Sequence, residues 1–434
     1  MTDVADNSAV RHRTDPGPEI IKGPQSLLAR NRFQLLGALA IAIMLPALVR
    51  NGFQIGSLSF NAEEDTLLGT SIAVGVGAYL RHRLSFFPGQ RRVESVVPAF
   101  GTAYGLAVLA FFFLKLDYSR FQFGASFALA LVWFAIVAAI EPHVRRQKLF
   151  IVPAGKAPLL AANGSADWLL GRTPDDLPPG VDGVVADLRA DLSPAWEERL
   201  AQAAVAGIPV YHWKLLLERF TGTVDIEHLV ENSLSSDLRL SVYPRLKRII
   251  DILISVLSLP VALPLMALTA IAILICDGAP IMFSQTRMGF GEKPFTILKF
   301  RTMRVGADRG QRFTDLNDPR ITPLGHFLRR YRLDELPQIF NVLRGEMSWV
   351  GPRPESKELA DWYQSQVPFY SYRYIVRPGI TGWAQVHQGN VAKIEAATGK
   401  LHYDFYYIKY LSPWLDLAIL LQTVRIVLGG FGSR

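Results

Sequence analysis

The chain has 434 residues, half of them hydrophobic and only 19% charged, with a mean hydropathy of +0.20. The apolar residues are clustered, which excludes an ordinary soluble protein and indicates a membrane protein with soluble parts. A formal net charge of +8 suits anionic lipid or phosphorylated substrates, and no recurrent aromatic–basic repeat points to nucleic acid.

Residues 1–30, rich in Pro, Asp and Arg, read as a disordered tail. Four apolar segments follow, at 33–49, 67–80, 97–116 and 123–140. The last two approach the ~20 residues of a spanning helix, and the second is short. Together, 31–145 reads as a four-helix transmembrane bundle. Its flanks alternate in charge. Arg11, Arg13, Lys22, Arg30 and Arg32 precede the first segment, and Glu63, Glu64 and Asp65 follow it. Arg81, Arg83, Arg91 and Arg92 come next, then Asp117 and Arg120, and finally Arg145, Arg146 and Lys148. The positive-inside rule places both ends of the bundle in the cytoplasm.

Residues 146–240 turn soluble. Leu149–Val152, Val181–Asp187 and Ile208–Tyr211 read as strands, and Trp196–Ala206 as an amphipathic helix. The alternation predicts a small parallel α/β unit. Gly155 and Gly164 do not make the G-x-G-x-x-G of a dinucleotide site, so a packing or regulatory module is expected. Ser233–Asp237 reads as a linker.

Residues 249–276 form a fifth apolar run with Pro260 and Pro264 near its centre. Prolines there remove N–H donors and kink a helix. A full fifth span would put everything after Asp277 outside the cell, so a re-entrant helix–break–helix is expected. Ser255 and Ser258 are candidates to satisfy the freed carbonyls.

After Asp277, Phe295–Met303 alternates as a strand with Lys299 and Arg301 on one face. Residues 308–322 are loop-like, and helices are expected at Pro323–Tyr331 and Asp334–Leu343. In Arg332-Leu333-Asp334-Glu335-Leu336-Pro337, two carboxylates lie among Arg329, Arg330, Arg332, Arg344 and Arg353, a pattern suited to a phosphorylated substrate. The single cysteine, Cys276, excludes a disulfide within the chain and a cysteine metal site, and the 8 histidines show no zinc spacing. Carboxylates would therefore hold any metal, which favours Mg²⁺. The segment from Leu411 to Gly430 lies on the membrane surface or completes the core.

Several of these motifs occur in a familiar order: Lys247-Arg248-x-x-Asp251, the broken apolar helix, Lys299-Phe300-Arg301-Thr302-Met303, Leu333-Asp334-Glu335-Leu336, Gly351-Pro352-Arg353-Pro354 and Arg377-Pro378-Gly379-Ile380-Thr381-Gly382-Trp383. Over 243–430 the chain resembles the bacterial monotopic phosphoglycosyl transferases, and with its N-terminal parts it resembles their large subclass, which initiates exopolysaccharide or O-antigen repeat units. The resemblance implies a membrane α-helical bundle, a degenerate Rossmann-like α/β domain, and an α+β membrane-associated catalytic domain (241–434) with a re-entrant helix. It implies transfer of a sugar 1-phosphate from a UDP-sugar donor to undecaprenyl phosphate at the bacterial inner membrane. The catalytic domain would be cytoplasmic, and a homodimer is expected. By motif position Asp334 is the nucleophile and Glu335 the Mg²⁺ ligand. Arg329, Arg353, Lys299 and Arg301 are assigned to substrate phosphate, and Asp404 is a further acidic site residue. Where the family often has Ser-Pro at the helix break, this chain has Leu263-Pro264, with Pro260 additional.

Independently of the resemblance, a carboxylate attacking a pyrophosphate needs cations to screen the approach. A helix N-terminus at Asp334 would lower its pKa. None of this chemistry calls on residues 1–240. A catalytically inactive scaffold of a polysaccharide export system would keep the membrane segments without need of the acid–arginine cluster. A membrane phosphatase or single-displacement transferase would show no exchange of label between UMP and UDP-sugar.

Overall fold

A computed structural model of the chain describes residues 31–50, 62–84, 95–144, 147–162, 164, 166–225, 242–306, 318–388 and 394–429. The expected tail at 1–30 and the linker at 233–237 lie outside these residues. So do Arg91, Arg92, Arg145 and Arg146 and most of the 308–322 loop. Two compact units emerge, one of residues 1–57 and 124–217, the other of 58–123 and 218–434.

Four helical stretches replace the four apolar segments. The first (α1, 31–50) is α-helical over Asn31–Ala38, π-helical over Leu39–Met44 and α-helical again over Leu45–Arg50. The N–H of Leu45 reaches back five residues to Ala40 O. Pro46 follows at once and has no N–H to restore the four-residue register. Helices α2 (Ala62–Leu84), α3 (Val96–Leu114) and α4 (Arg120–Val144) come next. Among the described residues, Arg32–Arg50, Val96–Leu114, Arg120–Ile140 and Tyr243–Cys276 are long and apolar enough to cross a membrane. Helix α2 is not, because Glu64 and Asp65 near one end and Arg81 and Arg83 near the other leave too short an uncharged stretch.

In the first unit, strands β1 (Lys148–Ile151), β2 (Asp167–Leu170) and β3 (Gly183–Ala186), helix α5 (Pro194–Val205) and strand β4 (Val210–His212) form an α/β layer. The sheet is parallel throughout, in the order β2-β1-β3-β4. Phe150, Val184 and Ala186 from the sheet pack with Trp196, Leu200 and Ala203 from α5. The order reverses between β1 and β3, where a parallel sheet usually takes an anionic ligand at its carboxyl edge. Here Asp187 occupies that edge. Its Oδ2 accepts from Lys156 N at 2.9 Å and its Oδ1 from Arg189 N at 3.2 Å. Despite partial burial, these N–H donors hold its carboxyl below the usual range. A carboxylate of the chain itself thus takes backbone donors that a phosphate would use. Strand β2 escaped the sequence reading because Asp167-Trp168-Leu169-Leu170 is a short edge strand without alternation.

Helix α6 (Trp213–Thr221) follows β4 directly, and its last turns belong to the second unit. There, Glu218 is 2% exposed and accepts from Lys409 Nζ at 2.7 and 2.9 Å and from Tyr410 Oη at 2.7 Å.

The second unit centres on α7 (Tyr243–Cys276), 34 residues long and so about 51 Å at 1.5 Å per residue. Contrary to the expected helix–break–helix, the backbone stays α-helical through Pro260 and Pro264. Neither serine meets the carbonyls that the prolines leave at Val256 and Pro260. Ser255 Oγ donates to Asp251 O and Ser258 Oγ to Ser255 O. Buried positions Asp251, Ser255, Ala262, Met266, Thr269 and Ile273 form one stripe, spaced three, four or seven apart as a single helix face requires. Ala262, Met266 and Ile273 pack with Phe300, Leu328 and Ile339. Near one end, Arg248 donates to Val342 O and Leu343 O. At the other, Arg301 Nη2 donates to Asp277 O and Gly278 O, each at 2.7 Å.

The remaining elements are β5 (Met282–Met288) and β6 (Pro294–Phe300), an antiparallel pair; helices α8 (Pro323–Arg330) and α9 (Gln338–Arg344); strand β7 (Ser348–Val350); helix α10 (Lys357–Gln366); strand β8 (Gly379–Thr381), parallel to β7; and helices α11 (Trp383–His387), α12 (Ile394–Lys409) and α13 (Pro413–Gly429). Helix α13 completes the core. Leu415, Ala418 and Ile419 are fully buried, and the Trp414 ring meets Tyr79 of α2 edge-on at 5.5 Å.

Segments before residue 241 also support the catalytic helices. Besides the Glu218 pairs, Trp383 Nε1 donates to Gly222 O and Val224 N to His402 O. Glu218→Ala leaves Lys409 and Tyr410 without this partner. It is expected to destabilise the protein by about 1–3 kcal/mol, read as a lower Tm in detergent. An unchanged Tm would remove Glu218 from the support of α12.

Candidate active site

Helix α8 ends at Arg330, and Arg332 adopts a left-handed backbone with φ of 54°. That state is costly for a non-glycine residue and persists only where surrounding structure holds it. It turns the chain into a 3₁₀ turn, Leu333–Glu335, which carries the two acids. The expected single helix from Asp334 does not form. Pro337 has no N–H to return to Leu333 O, and α9 starts only at Gln338.

Both acids are buried, Asp334 8% and Glu335 7% exposed. Carboxylates removed from water need cations or protons. Glu335 takes most of the cations. Its Oε1 accepts from Arg353 Nη2 at 2.9 Å and Lys299 Nζ at 3.3 Å, and Arg332 Nη1 lies 3.6 Å from Oε2. Burial alone would raise the Glu335 carboxyl, but Arg353, Lys299 and Arg332 together hold it well below the usual range. Asp334 is less compensated. Burial, then the adjacent Glu335 charge, push it up to about 6 against the pull of Lys299, Arg329 and Arg353. The lowering expected from a helix N-terminus is therefore reversed, because the acids precede α9 rather than open it. Burial brings the Lys299 ammonium down to about 8, although Glu335 opposes this.

Four elements deliver these cations. Lys299 comes from β6. Arg329 comes from the last turn of α8, with its Nε donating to Thr302 Oγ1 at 2.9 Å. Arg332 comes from the left-handed turn. Arg353 follows β7, where two motifs distant in sequence meet. Gly351 N donates to Thr381 O, and Gly379 N to Pro352 O, at 2.8 and 2.9 Å. A Cβ on Gly351 would lie 2.3 Å from Arg377 O, and one on Gly379 2.1 Å from Gly351 N. The approach of the two backbones therefore requires glycine at both positions.

Two expected site residues stand elsewhere. Arg301 forms no hydrogen bond or ion pair with either acid among the described residues. It follows the end of β6 and closes the carboxyl end of α7. The Asp404 carboxylate (2% exposed) is taken by Arg373 Nη2 at 2.9 Å. The same Nη2 donates to Arg353 O at 2.8 Å, so Asp404 acts on the backbone that carries Arg353. Arg373 was missed in the sequence because it is a lone cation in an aromatic run, Tyr370-Ser371-Tyr372-Arg373-Tyr374. Behind it, Lys400 and Arg373 overcome burial to hold Glu355 at about 2.

Among the described residues, no group of three His, Cys, Asp or Glu side chains forms a ready metal cage. Glu335 Oε2 is nevertheless buried without a hydrogen bond. Mg²⁺ keeps several waters and binds through one or two carboxylates plus substrate phosphates, which suits this donor set.

The sequence profile of the bacterial sugar transferase family matches residues 242–430. Over 401 residues, 92% of this chain and 95% of the relative, the chain is 42% identical to the UDP-N-acetylgalactosamine-undecaprenyl-phosphate N-acetylgalactosaminephosphotransferase of Aeromonas hydrophila. It is 39% identical to the UDP-glucose:undecaprenyl-phosphate glucose-1-phosphate transferase of Xanthomonas campestris pv. campestris, over 48% of this chain and 43% of that one. With the enzyme of the same description from Caulobacter vibrioides it shares 42% identity, over 42% of this chain and 69% of the relative. The first of these similarities spans nearly the whole of both chains, and on that ground the chain belongs to the bacterial sugar transferase family and is a phosphoglycosyl transferase.

Proposed function

We propose that the protein transfers N-acetylgalactosamine 1-phosphate from UDP-N-acetylgalactosamine to undecaprenyl phosphate through a covalent intermediate on Asp334, the first membrane step of exopolysaccharide or O-antigen synthesis. The carrying observation is the unequal treatment of two adjacent buried acids. Glu335 is held ionised by Arg353, Lys299 and Arg332, while Asp334 sits at about 6. At neutral pH Asp334 is mostly a carboxylate, yet more basic than an exposed one, as a nucleophile should be. The donor is chosen by the relative named for it, which matches 92% of this chain, against 48% and 42% for the two glucose enzymes.

In this reading an Asp334 carboxylate oxygen attacks the sugar-bearing phosphorus. The bond from that phosphorus to the oxygen bridging to UMP breaks, and UMP leaves with the electron pair. A phosphate oxygen of undecaprenyl phosphate then attacks the same phosphorus and returns Asp334 as a carboxylate. Arg329 and Arg353 screen the approach of anion to anion and hold the transferring phosphoryl oxygens. Lys299 sits beside Glu335 to the same end. When bound at Glu335 with Asp334 nearby, Mg²⁺ would neutralise charge on the diphosphate.

The protein is a membrane protein, and we place its catalytic residues on the cytoplasmic face. Helix α7 keeps one face on the catalytic core from Asp251 to Ile273 and is tied to that core near both ends. Fastening of both ends of α7 to one catalytic core supports placing both on the core's side of the bilayer. We keep the division into bundle (31–145), α/β domain (146–240) and catalytic domain (241–434) as the functional one.

Asp334→Asn is expected to leave a folded, membrane-bound protein that neither releases UMP nor exchanges label between UMP and the UDP-sugar in the absence of acceptor. Near-normal UMP release would sink the nucleophile assignment. For pH, kcat/KM should rise as Asp334 loses its proton through about 6 and fall as Lys299 loses its proton through about 8. In Lys299→Arg the alkaline fall should vanish, since arginine stays charged; an alkaline limb that persists would rule out Lys299 as its source. For topology, Arg245→Cys and Glu292→Cys should both be labelled only from the cytoplasm. Labelling of position 292 from the outside would mean that α7 crosses.

A further inference from the structure

Strand β6 brings Lys299 to Glu335, yet among the described residues it belongs to a two-stranded ribbon whose outer edge has no strand beside it. Asn341 of α9 covers that edge. Its Oδ1 accepts from Leu298 N at 3.1 Å and its Nδ2 donates to Thr296 O at 2.8 Å. These are the two groups a neighbouring strand would engage, one acceptor and one donor two residues apart. The second Nδ2 hydrogen goes to Glu346 Oε2 at 2.7 Å. The backbone carbonyl of Asn341 accepts from Glu346 N and Met347 N at 3.1 and 3.3 Å, which fixes the turn that leads into β7. Asn341 is fully buried. No single aliphatic side chain could satisfy both edge groups and the carboxylate at once.

The position of this contact matters more than its strength. Leu298 is adjacent to Lys299, and Asn341 lies six residues along the chain from Glu335. One carboxamide therefore ties the strand that delivers a cation to the segment that carries the acid it meets, beside the apolar contacts between the same two elements. Without that contact the outer edge of β6 would be held to α9 only by apolar packing, which fixes register less sharply than hydrogen bonds, and a small displacement of a charged group in a buried site has a large effect on rate.

We propose that Asn341 is a positioning residue of the transferase: its carboxamide stands in for a missing third strand and holds Lys299 in register with Glu335. The inference rests on the proposed reaction, in which Lys299 and Glu335 serve the diphosphate. It requires Asn341 to act through Lys299 and not merely through stability.

The test is a double-mutant cycle on the full-length protein in nanodiscs, with UMP release read from UDP-N-acetylgalactosamine and undecaprenyl phosphate. Asn341→Ala and the milder Asn341→Ser, which keeps one hydrogen-bonding group, are each made in the wild-type and Lys299→Gln backgrounds. In the wild-type background kcat is expected to fall about 10- to 100-fold, less for serine than for alanine. In the Lys299→Gln background the same changes should add less than about 2-fold, the non-additivity of residues acting as a unit. Equal losses in both backgrounds would overturn the proposal and leave Asn341 a structural residue. Hydrogen exchange over 294–300 gives a readout that needs no turnover. It should quicken in both Asn341 variants at temperatures where the rest of the chain keeps its protection, and unchanged exchange would overturn the proposal as well. Wild-type protein that releases no UMP from this donor would instead refute the donor assignment, while the exchange measurement still decides the role of Asn341.

Discussion

Burying two adjacent carboxylates is the constraint on which the catalytic unit depends. Both side chains are largely removed from bulk water, and their charges repel across one peptide. Such a pair is tolerable only if cations come in from several directions, or if one acid takes up a proton. Both solutions are used. Glu335 is surrounded by Arg353, Lys299 and Arg332, and Asp334 keeps an elevated proton affinity. Because the cations arrive on β6, on the turn after β7 and on the left-handed turn after α8, each of these elements must hold its register for the pair to stay ionised. The interlocked glycines at 351 and 379, the Arg373–Asp404 pair and the Asn341 contact all serve that requirement.

The same economy explains α7. An apolar helix of 34 residues would be expected to disperse its contacts through lipid. Instead it carries a polar and small-residue stripe, with Ser255 accepting from Trp349 Nε1 and Asp251 from Trp349 N. Outward-facing Leu257, Val261, Leu268 and Ile275 are exposed and available to acyl chains. One face of the helix is thus core and the other is left apolar and exposed. The Lys247-Arg248-x-x-Asp251 motif fastens its start. Arg248 closes the carboxyl end of α9, and Lys247 bridges to Asp416 at 2.6 Å.

Much of this was legible in the sequence because it is written in periodicity and in charge. Hydropathy located the N-terminal apolar helices to within about five residues at either end, and three of four strands of the α/β layer followed from apolar runs between turn residues. The Asp334–Glu335 pair announced itself by the density of arginines. What could not be read was long-range. Nothing local tells Arg301 from Lys299, two residues apart on what looked like one strand face, yet one caps α7 and the other meets Glu335. Proline content suggested an interruption in α7, but two missing N–H groups in a well-packed helix leave the rest of the hydrogen-bond ladder intact. The proton affinity of Asp334 was misjudged for a similar reason. Local helix electrostatics argued for lowering, while burial, a property of the finished fold, dominated.

The packing of α13 has a consequence for how the enzyme is made. Tyr407 Oη lies within hydrogen-bonding distance of Val350 O and of Asp416 Oδ1, and Leu415, Ala418 and Ile419 are wholly enclosed. The strand pair that aims Arg353 therefore leans on α12 and α13. During synthesis the apolar helices and the α/β layer can form while the ribosome is still translating, but the strand pair behind Arg353 gains its support only once α13 has emerged. A variant without α13 would keep its apolar helices and lose the support behind Arg353.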